Sequence, residues 1–368
     1  MKIEITDKIE RMELIGERLL NKYSDIYTAK MISTLKATIY KYAGKIPPEQ
    51  EMKLLYRSIY DYWIYGNSCD EEFYYRFLEK NHKEKSQYMT FRLRERYCKH
   101  LNPGDASVFV DKYKTYQRFK KYYLRDVIEI TCEEDYEEFV NFVQKHKSFV
   151  VKPKDLAFGL GIYVVRENDY TDYIELFKSI LESGKRNKRD VIWAKTDSIV
   201  LEEIIEQDDR MAAIHPDSVN GVRITTVKDN DKVTILNPWL KIGANHQFVT
   251  SAVCGTMDAG INYQTGVVET NGYKENGENY EFHPDTHMRI PGFRIPRWNE
   301  LISTAKEIAM MLPDINYVGW DFALTPKGWS IIEANYDGDF MWQLYYERGM
   351  KREFEELVNW KLEGFWWE

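Results

Sequence analysis

Length, composition and charge limit what this chain can be. Its 368 residues are 43% hydrophobic and 30% charged, which is typical of a globular protein with two or three domains or lobes. The formal net charge of −8 argues against broad electrostatic binding to nucleic acid, because a phosphate backbone requires a basic surface. We therefore expect no nucleic-acid partner, although a local basic cleft stays compatible with this charge.

The cysteines and the N-terminal segment indicate the cellular compartment. Cys69, Cys98, Cys132 and Cys254 are widely scattered and form no CxxC pair, so we interpret them as reduced thiols. The stretch "MKIEITDKIERMELIGERLL" carries charges in every turn and lacks the apolar core of a signal peptide, and no later run approaches the length of a membrane span. These features predict a cytoplasmic protein without a membrane span.

The first part of the chain is predicted to be helical. Up to about residue 101, apolar and aromatic residues recur at three- and four-residue spacing, as in "EEFYYRFLEKNHKEKSQYMTFRLRERYCKHL". The aromatic stripe of Phe73, Tyr74 and Phe77 favours a packed core or lobe interface over a cofactor site, because a helix needs such a stripe in order to pack. Pro103 and Gly104 then interrupt the pattern and indicate a boundary.

A mixed pattern of helices and strands follows this boundary. In chain order we predict a helix at "DKYKTYQRFKKYYLRD", a strand at "VIEI", a helix at "CEEDYEEFVNFVQKH" and a strand at "SFVVKPKD" that enters the glycine-bearing loop "LAFGLGIYVV". A helix near 170–183, a basic polar loop "SGKRNKRD" and a strand "SIVLEEII" come next.

The last third of the chain is predicted to be rich in antiparallel strands. "GVRITTVKDNDKVTILNPWLKIG" is typical of a hairpin that turns at "DNDK", and "GVVETNGYKENGENYEF" of a second one. An amphipathic helix, "RWNELISTAKEIAMML", begins after Pro296. The strands "YVGWDFAL" and "WSIIEANYD", joined by "TPKG", form a third predicted hairpin.

This third hairpin carries a candidate metal site. Asp321 and Glu333 stand on opposite strands and can face one another, while Glu333 and Asn335 are two apart and share a face. Two carboxylates and an amide oxygen are disfavoured in a core unless a cation neutralises them, and Mg²⁺ prefers such oxygen ligands. The alternative is a solvated sheet face, or carboxylates that pair with lysines.

A second candidate site lies where the strand "FVVKP" meets the glycine loop. Lys152 and Lys154 issue from the strand, and Gly159 and Gly161 follow in the loop. Glycines let backbone amides approach phosphate oxygens, and a lysine can bind the same group. The sequence contains neither the GxxxxGK[ST] nor the GxGxxG spacing. An ordinary hairpin turn is the alternative.

A third candidate is the strand "SIVLEEII". It ends in Glu202 and Glu203, followed by Ile204 and Ile205. A strand edge that combines backbone hydrogen-bonding groups with apolar side chains can hold an adenine ring. The alternative is a strand that leaves the core into an acidic turn.

Taken in this order, the motifs resemble the ATP-grasp superfamily. The resemblance rests on "DK" at 111–112, "VVKP" at 150–153, the glycine loop, "LEEII" and the D…E-x-N ending. It is closest to the sugar-transfer-associated subgroup, on "PDSVNGVRITTV", "HPDTHMRIPGFRIPRWNE" and "YVGWDFALTPKGWSIIEANYDGD", and covers about residues 70–345. It implies an α+β, ATP-grasp fold: a helical N-terminal region (1–104), a first α/β lobe (105–205) and a second lobe (206–368) that grip ATP.

The resemblance also implies roles for individual residues. ATP phosphates would be bound by Lys112, with Lys114 as a less favoured substitute, by Lys152 and Lys154, and by a lid containing Gly159 and Gly161. Adenine would lie against Glu202, Glu203, Ile204 and Ile205, with Asp209 or its neighbour Asp208 near the ribose. One or two Mg²⁺ ions would be held by Asp321, Glu333 and Asn335.

The activity implied by the resemblance is ATP-dependent ligation. Such enzymes phosphorylate a carboxylate, and an amine or similar nucleophile then attacks the acyl phosphate, releasing ADP and phosphate. Arg223, on the strand in "NGVRITTV", is the candidate to stabilise the acyl phosphate; a strand arginine paired with an acid is the alternative. Many ligases of the superfamily carry an arginine where this chain has Gly319, so either Arg223 replaces it or the carboxylate-activation assignment weakens.

Several alternatives stay open at this point. A phosphotransferase of the same fold, or a catalytically silent nucleotide-binding module, would also resemble the family. The acid and amine substrates are expected to be small molecules linked to a saccharide, a peptide or a secondary-metabolite precursor, and the saccharide link follows only from the subgroup's name. Oligomeric state is not predicted.

The segment "HPDTHMRIPGFRIPRW" is the candidate substrate wall. His283 and His287 are four apart, but Pro284 and Pro291 disfavour the helix that a zinc pair at this spacing would need. Its arginines, Arg289 and Arg294, would hold an anionic substrate or cap the loop.

Overall fold

The structure is a computed structural model that describes residues 2–157, 159–245, 255–364 and 366. The chain divides into two compact units: Met1–His100 with Glu275–Glu278 and Tyr346–Glu368, and Leu101–Lys274 with Asn279–Tyr345. None of the helices described is long and apolar enough to cross a membrane. The division at 104 and 205 predicted from the sequence stays a prediction.

The secondary structure alternates as expected after a helical start. The helices are α1 (Lys2–Lys22), α2 (Ala29–Ala43), α3 (Pro48–Tyr65), α4 (Cys69–Tyr74), α5 (His82–Lys85), α6 (Phe91–Leu101), α7 (Ser107–Val110), α8 (Lys112–Phe119), α9 (Tyr136–Lys145), α10 (Tyr173–Asp190), α11 (Asp209–Ala212), α12 (Trp298–Met310), α13 (Trp342–Tyr345) and α14 (Lys351–Val358). Short 3-10 helices cover Phe77–Glu79, Lys120–Tyr122, Glu133–Asp135 and Glu167–Asp169.

Among the described residues, every strand falls in the second unit. They are β1 (Val127–Ile130), β2 (Phe149–Pro153), β3 (Tyr163–Val165), β4 (Ile199–Glu203), β5 (Gly221–Asp229), β6 (Lys232–Ile242), β7 (Met257–Gly260), β8 (Gly272–Tyr273), β9 (Asn279–Tyr280), β10 (Tyr317–Thr325) and β11 (Gly328–Asn335).

The helical unit is packed around apolar side chains at helical spacing. Its core contains Tyr27, Ile39, Leu55 and Ile59. The side chain of Phe77 is fully buried, and Phe73 packs against this core. The prediction that the aromatic stripe serves packing is therefore confirmed for Phe73 and Phe77.

The same unit buries a polar cluster on α3, α4 and α5. Lys85 Nζ lies 2.5 Å from Asp61 Oδ2, and both side chains are almost fully buried. Glu72 is buried beside them and accepts a hydrogen bond of 3.0 Å from Asn67 Nδ2. Burial, reinforced by the charge of Asp61, raises the pKa of Glu72 well above its usual range. One lysine therefore faces two carboxyl groups, and the second carboxyl is favoured in its protonated form.

Replacing Glu72 tests this protonation. Because the folded state raises the pKa of Glu72, the wild-type free energy of unfolding should fall as pH rises above about 4.3, the unfolded-state value. Glu72→Gln keeps the shape and removes the ionisation, so we expect it to match wild type near pH 4 and to exceed it increasingly towards pH 8. Urea unfolding at several pH values measures this. Glu95→Gln, at a side chain 46% exposed, is the control, and an unchanged pH slope in Glu72→Gln would contradict the assignment.

The second unit contains two antiparallel sheets. The four-stranded sheet has the order β1-β4-β2-β3, and the seven-stranded sheet has the order β11-β10-β5-β6-β7-β8-β9. The predicted hairpins β5–β6, with Asp229 opposite Lys232, and β10–β11, with Thr325 opposite Gly328, are confirmed. The hairpin predicted from "GVVETNGYKENGENYEF" is present only as the two-residue strands β8 and β9.

Each sheet is covered by helices that bury an apolar face. Phe139 and Val143 of α9 and Phe177 and Ile180 of α10 pack on the four-stranded sheet. The core of the seven-stranded sheet contains Leu301, Ala305 and Ile308 of α12 together with Trp320 and Phe322 of β10. Alternate residues of β10 therefore anchor the strand in this core, and this fixes which face its polar residues occupy.

One predicted loop is wrong. The basic stretch "SGKRNKRD" is helical, because α10 continues from Tyr173 to Asp190. Gly184 does not end the helix. A Cβ at Gly184 would lie 2.0 Å from the carbonyl oxygen of Asp197, so the glycine is needed for close contact with the following chain rather than for a turn.

Candidate nucleotide and metal site

The three predicted metal ligands lie together on β10 and β11. Asp321 is directly opposite Glu333, and Asn335 is opposite Gly319. The Nδ2 of Asn335 donates to Asp321 Oδ2 at 3.3 Å. The antiparallel register therefore brings onto one face three side chains that are up to 14 positions apart in the chain.

Two cations compensate the buried Asp321 carboxylate. Arg223, opposite Asp321 on β5, donates from Nε to Oδ1 at 2.7 Å and from Nη2 to Oδ2 at 2.8 Å. Lys241 Nζ of β6 lies 3.7 Å from Oδ1. Burial alone would raise the pKa of Asp321, but Arg223 and Lys241 outweigh it and hold this pKa below its usual value. Asp321 is thus an anion at neutral pH.

The absence of a side chain at Gly319 gives Arg223 its position. A Cβ at Gly319 would lie 2.9 Å from Arg223 Nη1 and 3.3 Å from the Cα of Gly338. A larger residue at 319 would therefore displace the guanidinium. The two features that the sequence left open, an arginine on β5 and a glycine two residues before Asp321, are parts of one arrangement.

The donor set fits a hard cation such as Mg²⁺. The side-chain carboxylate of Glu333 makes no hydrogen bond or ion pair with any residue that the structure describes, although its charge acts on Lys112 and Arg223. The side-chain amide of Asn335 donates to Asp321, which leaves its carbonyl oxygen as a possible ligand. Two carboxylates and an amide oxygen are the ligands that Mg²⁺ prefers.

Two of the predicted phosphate-binding lysines are Lys152 on β2 of the four-stranded sheet and Lys112 at the start of α8. Lys152 Nζ lies 2.8 Å from Glu202 Oε2, and Lys112 Nζ donates to the carbonyl oxygen of Leu156 at the start of the glycine loop. Burial lowers the pKa of Lys112, while the nearby Glu333 opposes this effect. The charge of Lys112 therefore interacts with charged residues of both sheets.

Lys154 and the exposed Lys114 differ from these two lysines. Lys154 Nζ lies 2.6 Å from Glu129 Oε1 and 3.2 Å from Asp111 Oδ2, so two carboxylates already neutralise it. Lys114 is exposed at the start of α8, where its backbone N–H donates to Asp111 Oδ1 at 3.0 Å.

The glycine loop has the backbone conformation that its glycines allow. Gly159 and Gly161 have φ values of 75° and 71°, a region that side chains disfavour. A Cβ at Gly161 would lie 2.7 Å from Pro153 Cγ. The loop therefore lies close to the end of β2, next to the predicted phosphate lysines.

Glu202 has a different environment from the one the sequence suggested. Its Oε2 accepts from Arg125 Nε at 3.0 Å, from Arg125 Nη2 at 2.7 Å and from Lys152 Nζ. Burial would raise the pKa of Glu202, but Arg125 and Lys152 lower it to about 2. Arg125 also donates to the carbonyl oxygen of Ile331 at 2.5 Å and to Ser330 Oγ at 3.0 Å. Glu202 and Arg125 therefore connect β4 to β11.

The other residues predicted to contact adenine and ribose come directly after Glu202 in the chain. Glu203 accepts from the backbone N–H of Asp126 at 3.0 Å, and Ile204 and Ile205 are half-buried just after β4. Asp208 is bound to Arg210 through hydrogen bonds of 2.8 Å. Asp209 is exposed.

The histidine pair of the predicted substrate wall is not arranged for zinc. His283 is buried; its Nε2 lies 2.8 Å from the carbonyl oxygen of Gly243, and its Nδ1 accepts from the backbone N–H of Asp285 at 3.1 Å. Both ring nitrogens are thus engaged. Arg289 pairs with Glu281 at 2.9 Å, and Arg294 donates to the carbonyl oxygen of Thr265 at 3.3 Å, so in this structure both arginines bind within their own part of the chain.

A separate cluster of possible ligands lies near Arg125. Among the described residues, Asp126, His146 and Glu203 have ligand atoms within 4.8 Å of one another. Asp126 Oδ2 already contacts His146 Nε2 at 2.7 Å and Lys145 Nζ. Basic side chains line the surrounding cavity of about 280 Å³: Lys120, Lys121, Arg125, Lys145 and Lys327. The positive charge of these side chains disfavours the binding of a metal cation, and we assign no metal here.

Sequence reasoning did not identify Arg125 or Lys241 as residues of this site. Lys241 carried a weak signal, because it is a charged residue within a short apolar strand. Arg125 follows a basic helix and precedes a strand, where an arginine is unremarkable. Its partners in β4 and β11 are 77 and about 205 positions away, so only the fold reveals its role.

Comparison with known families identifies the family of this chain. Residues 92–359 match the profile of the family described as sugar-transfer associated ATP-grasp. The chain belongs to this family. The predicted α+β, ATP-grasp fold with a helical N-terminal region is therefore confirmed.

Solved structures similar to this ATP-grasp protein include three enzymes. D-alanyl-alanine synthetase A from Vibrio cholerae is 14% identical, with a TM-score of 0.41, over 69% of this chain and 65% of that one. Biotin carboxylase from Campylobacter jejuni, bound to a β,γ-ATP ligand, is 11% identical, with a TM-score of 0.42, over 70% of this chain and 48% of that one. N5-carboxyaminoimidazole synthetase from Staphylococcus aureus, bound to ADP, is 12% identical, with a TM-score of 0.42, over 70% of this chain and 54% of that one.

The chain thus matches less than two thirds of the length of each of these structures. At such low identities and TM-scores, the likeness carries no inference about activity. No curated protein sequence matches the chain.

The ion pair of Arg125 and Glu202 gives a test of how the ATP-grasp unit is held together. Both side chains are at most 5% exposed, so Arg125→Met leaves Glu202 with Lys152 alone and should lower the free energy of unfolding by about 3–5 kcal/mol. Denaturant unfolding at pH 7 measures this loss. Arg210→Met removes an arginine that is 57% exposed and should lose at most about 1 kcal/mol. Equal losses in the two variants would show that the buried pair is not stabilising.

Proposed function

We propose that this ATP-grasp protein is an ATP- and Mg²⁺-dependent ligase that joins a carboxylate to an amine through an acyl phosphate and releases ADP and phosphate. The observation that carries the proposal is the position of Lys112. Its charge interacts with Glu333 on the seven-stranded sheet and with Lys152 and Glu202 on the four-stranded sheet. This supports the proposal that the phosphate lysines and a metal carboxylate act on the same nucleotide, because their charges are close enough to interact.

The nucleotide would bind along the four-stranded sheet. In this proposal Lys112 and Lys152 bind the phosphates, and Gly159 and Gly161 let backbone N–H groups approach them. Lys154 would contribute only if its ion pairs with Glu129 and Asp111 loosened. The adenine would lie at the end of β4, against residues 202–205.

Asp208 and Asp209 are the two candidates to bind the ribose. The carboxylate of Asp208 is engaged by Arg210, whereas Asp209 is exposed. We therefore favour Asp209 as the acceptor for a ribose hydroxyl.

Asp321, Glu333 and Asn335 would hold one or two Mg²⁺ ions. When bound there, Mg²⁺ would neutralise charge that develops on the transferred phosphoryl group. The protein contributes the positions of these three oxygens, which are fixed by the register of β10 and β11 and by the burial of the opposite face of β10 in the core.

Arg223 would stabilise the acyl phosphate. Its guanidinium is held beside the proposed metal carboxylate, above the space that Gly319 leaves open. Its Nε and Nη2 donate to Asp321, so anionic oxygens of the acyl phosphate would bind at Nη1, which lies next to Gly319. This supports the view that Arg223 replaces the arginine that other ligases carry at the position of Gly319.

The substrates are proposed by class only. We expect a small carboxylic acid and a small amine, in the biosynthesis of a cell-surface saccharide, a peptide or a secondary metabolite. The saccharide link rests on the name of the family.

Glu333 gives the sharpest test of the metal site. Glu333→Gln keeps the size of the side chain and removes one of two carboxylates, so we expect Mg²⁺-dependent nucleotide affinity to fall at least about tenfold and turnover at least about 100-fold. Titration of a nucleotide analogue with and without Mg²⁺ measures the first effect independently of activity. Glu300→Gln, on the first turn of α12, serves as the control. Full activity in Glu333→Gln would contradict the metal assignment.

The reaction itself is tested by ADP release from Mg-ATP against a matrix of carboxylic acids and amines, with mass spectrometry of the products. A ligase should need both partners and give a product whose mass is acid plus amine minus water. A product heavier by one phosphoryl group, formed without an amine, would instead identify a phosphotransferase. Nucleotide binding without turnover across a broad matrix would favour a silent binding module.

A further inference from the structure

Four charged residues form a row across one face of the seven-stranded sheet. Asp321 is opposite Arg223, and Lys241 is opposite Asp258. Arg223 is opposite Trp239, which is two residues before Lys241 on the same strand, so all four side chains share a face. Across β10, β5, β6 and β7 the charges are therefore negative, positive, positive and negative.

Within the part of the chain that the structure describes, Asp258 is the member of this row without an ion-pair partner. Its Oδ2 accepts from Tyr345 at 2.9 Å, whereas its buried Oδ1 has no hydrogen-bond partner among the described residues. Lys241, although directly opposite, lies near Asp321 instead. A buried carboxylate oxygen without a donor is destabilising, so a ligand that supplies a donor to Asp258 Oδ1 would be bound favourably.

The surroundings of Asp258 are aromatic and charged. The ring of Tyr345 lies 6.2 Å from that of Trp239 and 6.0 Å from that of Tyr273, centroid to centroid. Burial raises the pKa of Asp258 to about 6, and Lys241 opposes this effect. The groups that face Asp258 are Lys241 on β6, Arg223 on β5, Tyr273 on β8, Tyr345 on α13 and Asp339 between β11 and α13.

We propose that Asp258 binds the protonated amine of the amine substrate. This rests on the proposed ligase function and names the part of the sheet face that the second substrate occupies. The transferred phosphate would bind next to the metal carboxylate Asp321. The activated carboxylate would bind next to the cations Arg223 and Lys241, and the amine next to Asp258. The order of charges along the row is the order of the three reacting groups.

The dimensions of the sheet are compatible with a small substrate. Neighbouring strands are about 4.8 Å apart, so β7 lies about 10 Å from β5, with Lys241 on the strand between them. An ammonium group can donate to Oδ1 while the oxygen Oδ2 remains bound to Tyr345. Uncharged isosteres with a hydroxyl in place of the amine would lose the ionic part of this interaction.

The test compares matched amines and alcohols as probes. Ligand-observed NMR titration of the whole protein, with Mg²⁺ and a non-hydrolysable ATP analogue at pH 7.5, gives affinities for ethanolamine and ethylene glycol, glycinamide and glycolamide, and glucosamine and glucose. We expect wild type to prefer at least one amine to its alcohol at least tenfold, and Asp258→Asn to reduce this preference to threefold or less. Asp229→Asn, at the exposed end of β5, should leave it unchanged.

A second measurement needs no variant. Lowering the pH from 7.5 to 5 protonates the Asp258 carboxyl, while ethanolamine is protonated at both pH values, so the wild-type preference for ethanolamine over ethylene glycol should fall several-fold. No amine preference in any pair, the same preference in Asp258→Asn, or a preference independent of pH would each overturn the proposal. Nucleotide affinity measured in the same samples reports separately on the proposed ATP site, so loss of nucleotide binding would count against the ligase and not against Asp258.

Discussion

The arrangement of the ATP-grasp unit depends on the buried contact between Arg125 and Glu202. Glu202 lies in β4 of the four-stranded sheet, and Arg125 spans from it to backbone and side-chain oxygens of β11 in the seven-stranded sheet. A buried carboxylate is stable only if cations compensate it, and here Lys152 supplies the second one. The same interaction therefore joins the two sheets and positions a lysine that we propose to bind phosphate.

The proposed catalytic face uses compensation of the same kind. Asp321 is buried and is neutralised by Arg223 and Lys241, while Glu333 and the carbonyl oxygen of Asn335 are left for a cation. Gly319 permits the close approach of Arg223. Asp321 is thus held by cations from neighbouring strands, whereas Glu333 and Asp258 have no ion-pair partner among the described residues, and Asp258 Oδ1 has no hydrogen-bond partner among them. This unequal compensation gives the sheet face a polarity that a substrate carrying both an anion and a cation would match.

Sequence periodicity predicted most of the elements, because the pattern of apolar residues reports which face of a helix or strand is buried. It placed Asp321, Glu333 and Asn335 on one hairpin, and the register confirms that Asp321 faces Glu333. It failed at "SGKRNKRD", where polarity and a glycine suggested a loop: α10 continues because Gly184 allows contact with the backbone near Asp197. It also gave Glu202 a role beside adenine without revealing that Arg125 binds its carboxylate.

The sequence by itself determined the family, the order of the motifs and the residue types of the proposed site, because these depend on local spacing along the chain. The tertiary structure decided which charges meet. Arg125 with β11, Arg223 with Asp321, and Lys241 opposite Asp258 all join strands that are separated in sequence and become neighbours only through sheet order and register. Electrostatic interactions act through short distances in space, and distances between remote strands are not encoded in any local pattern.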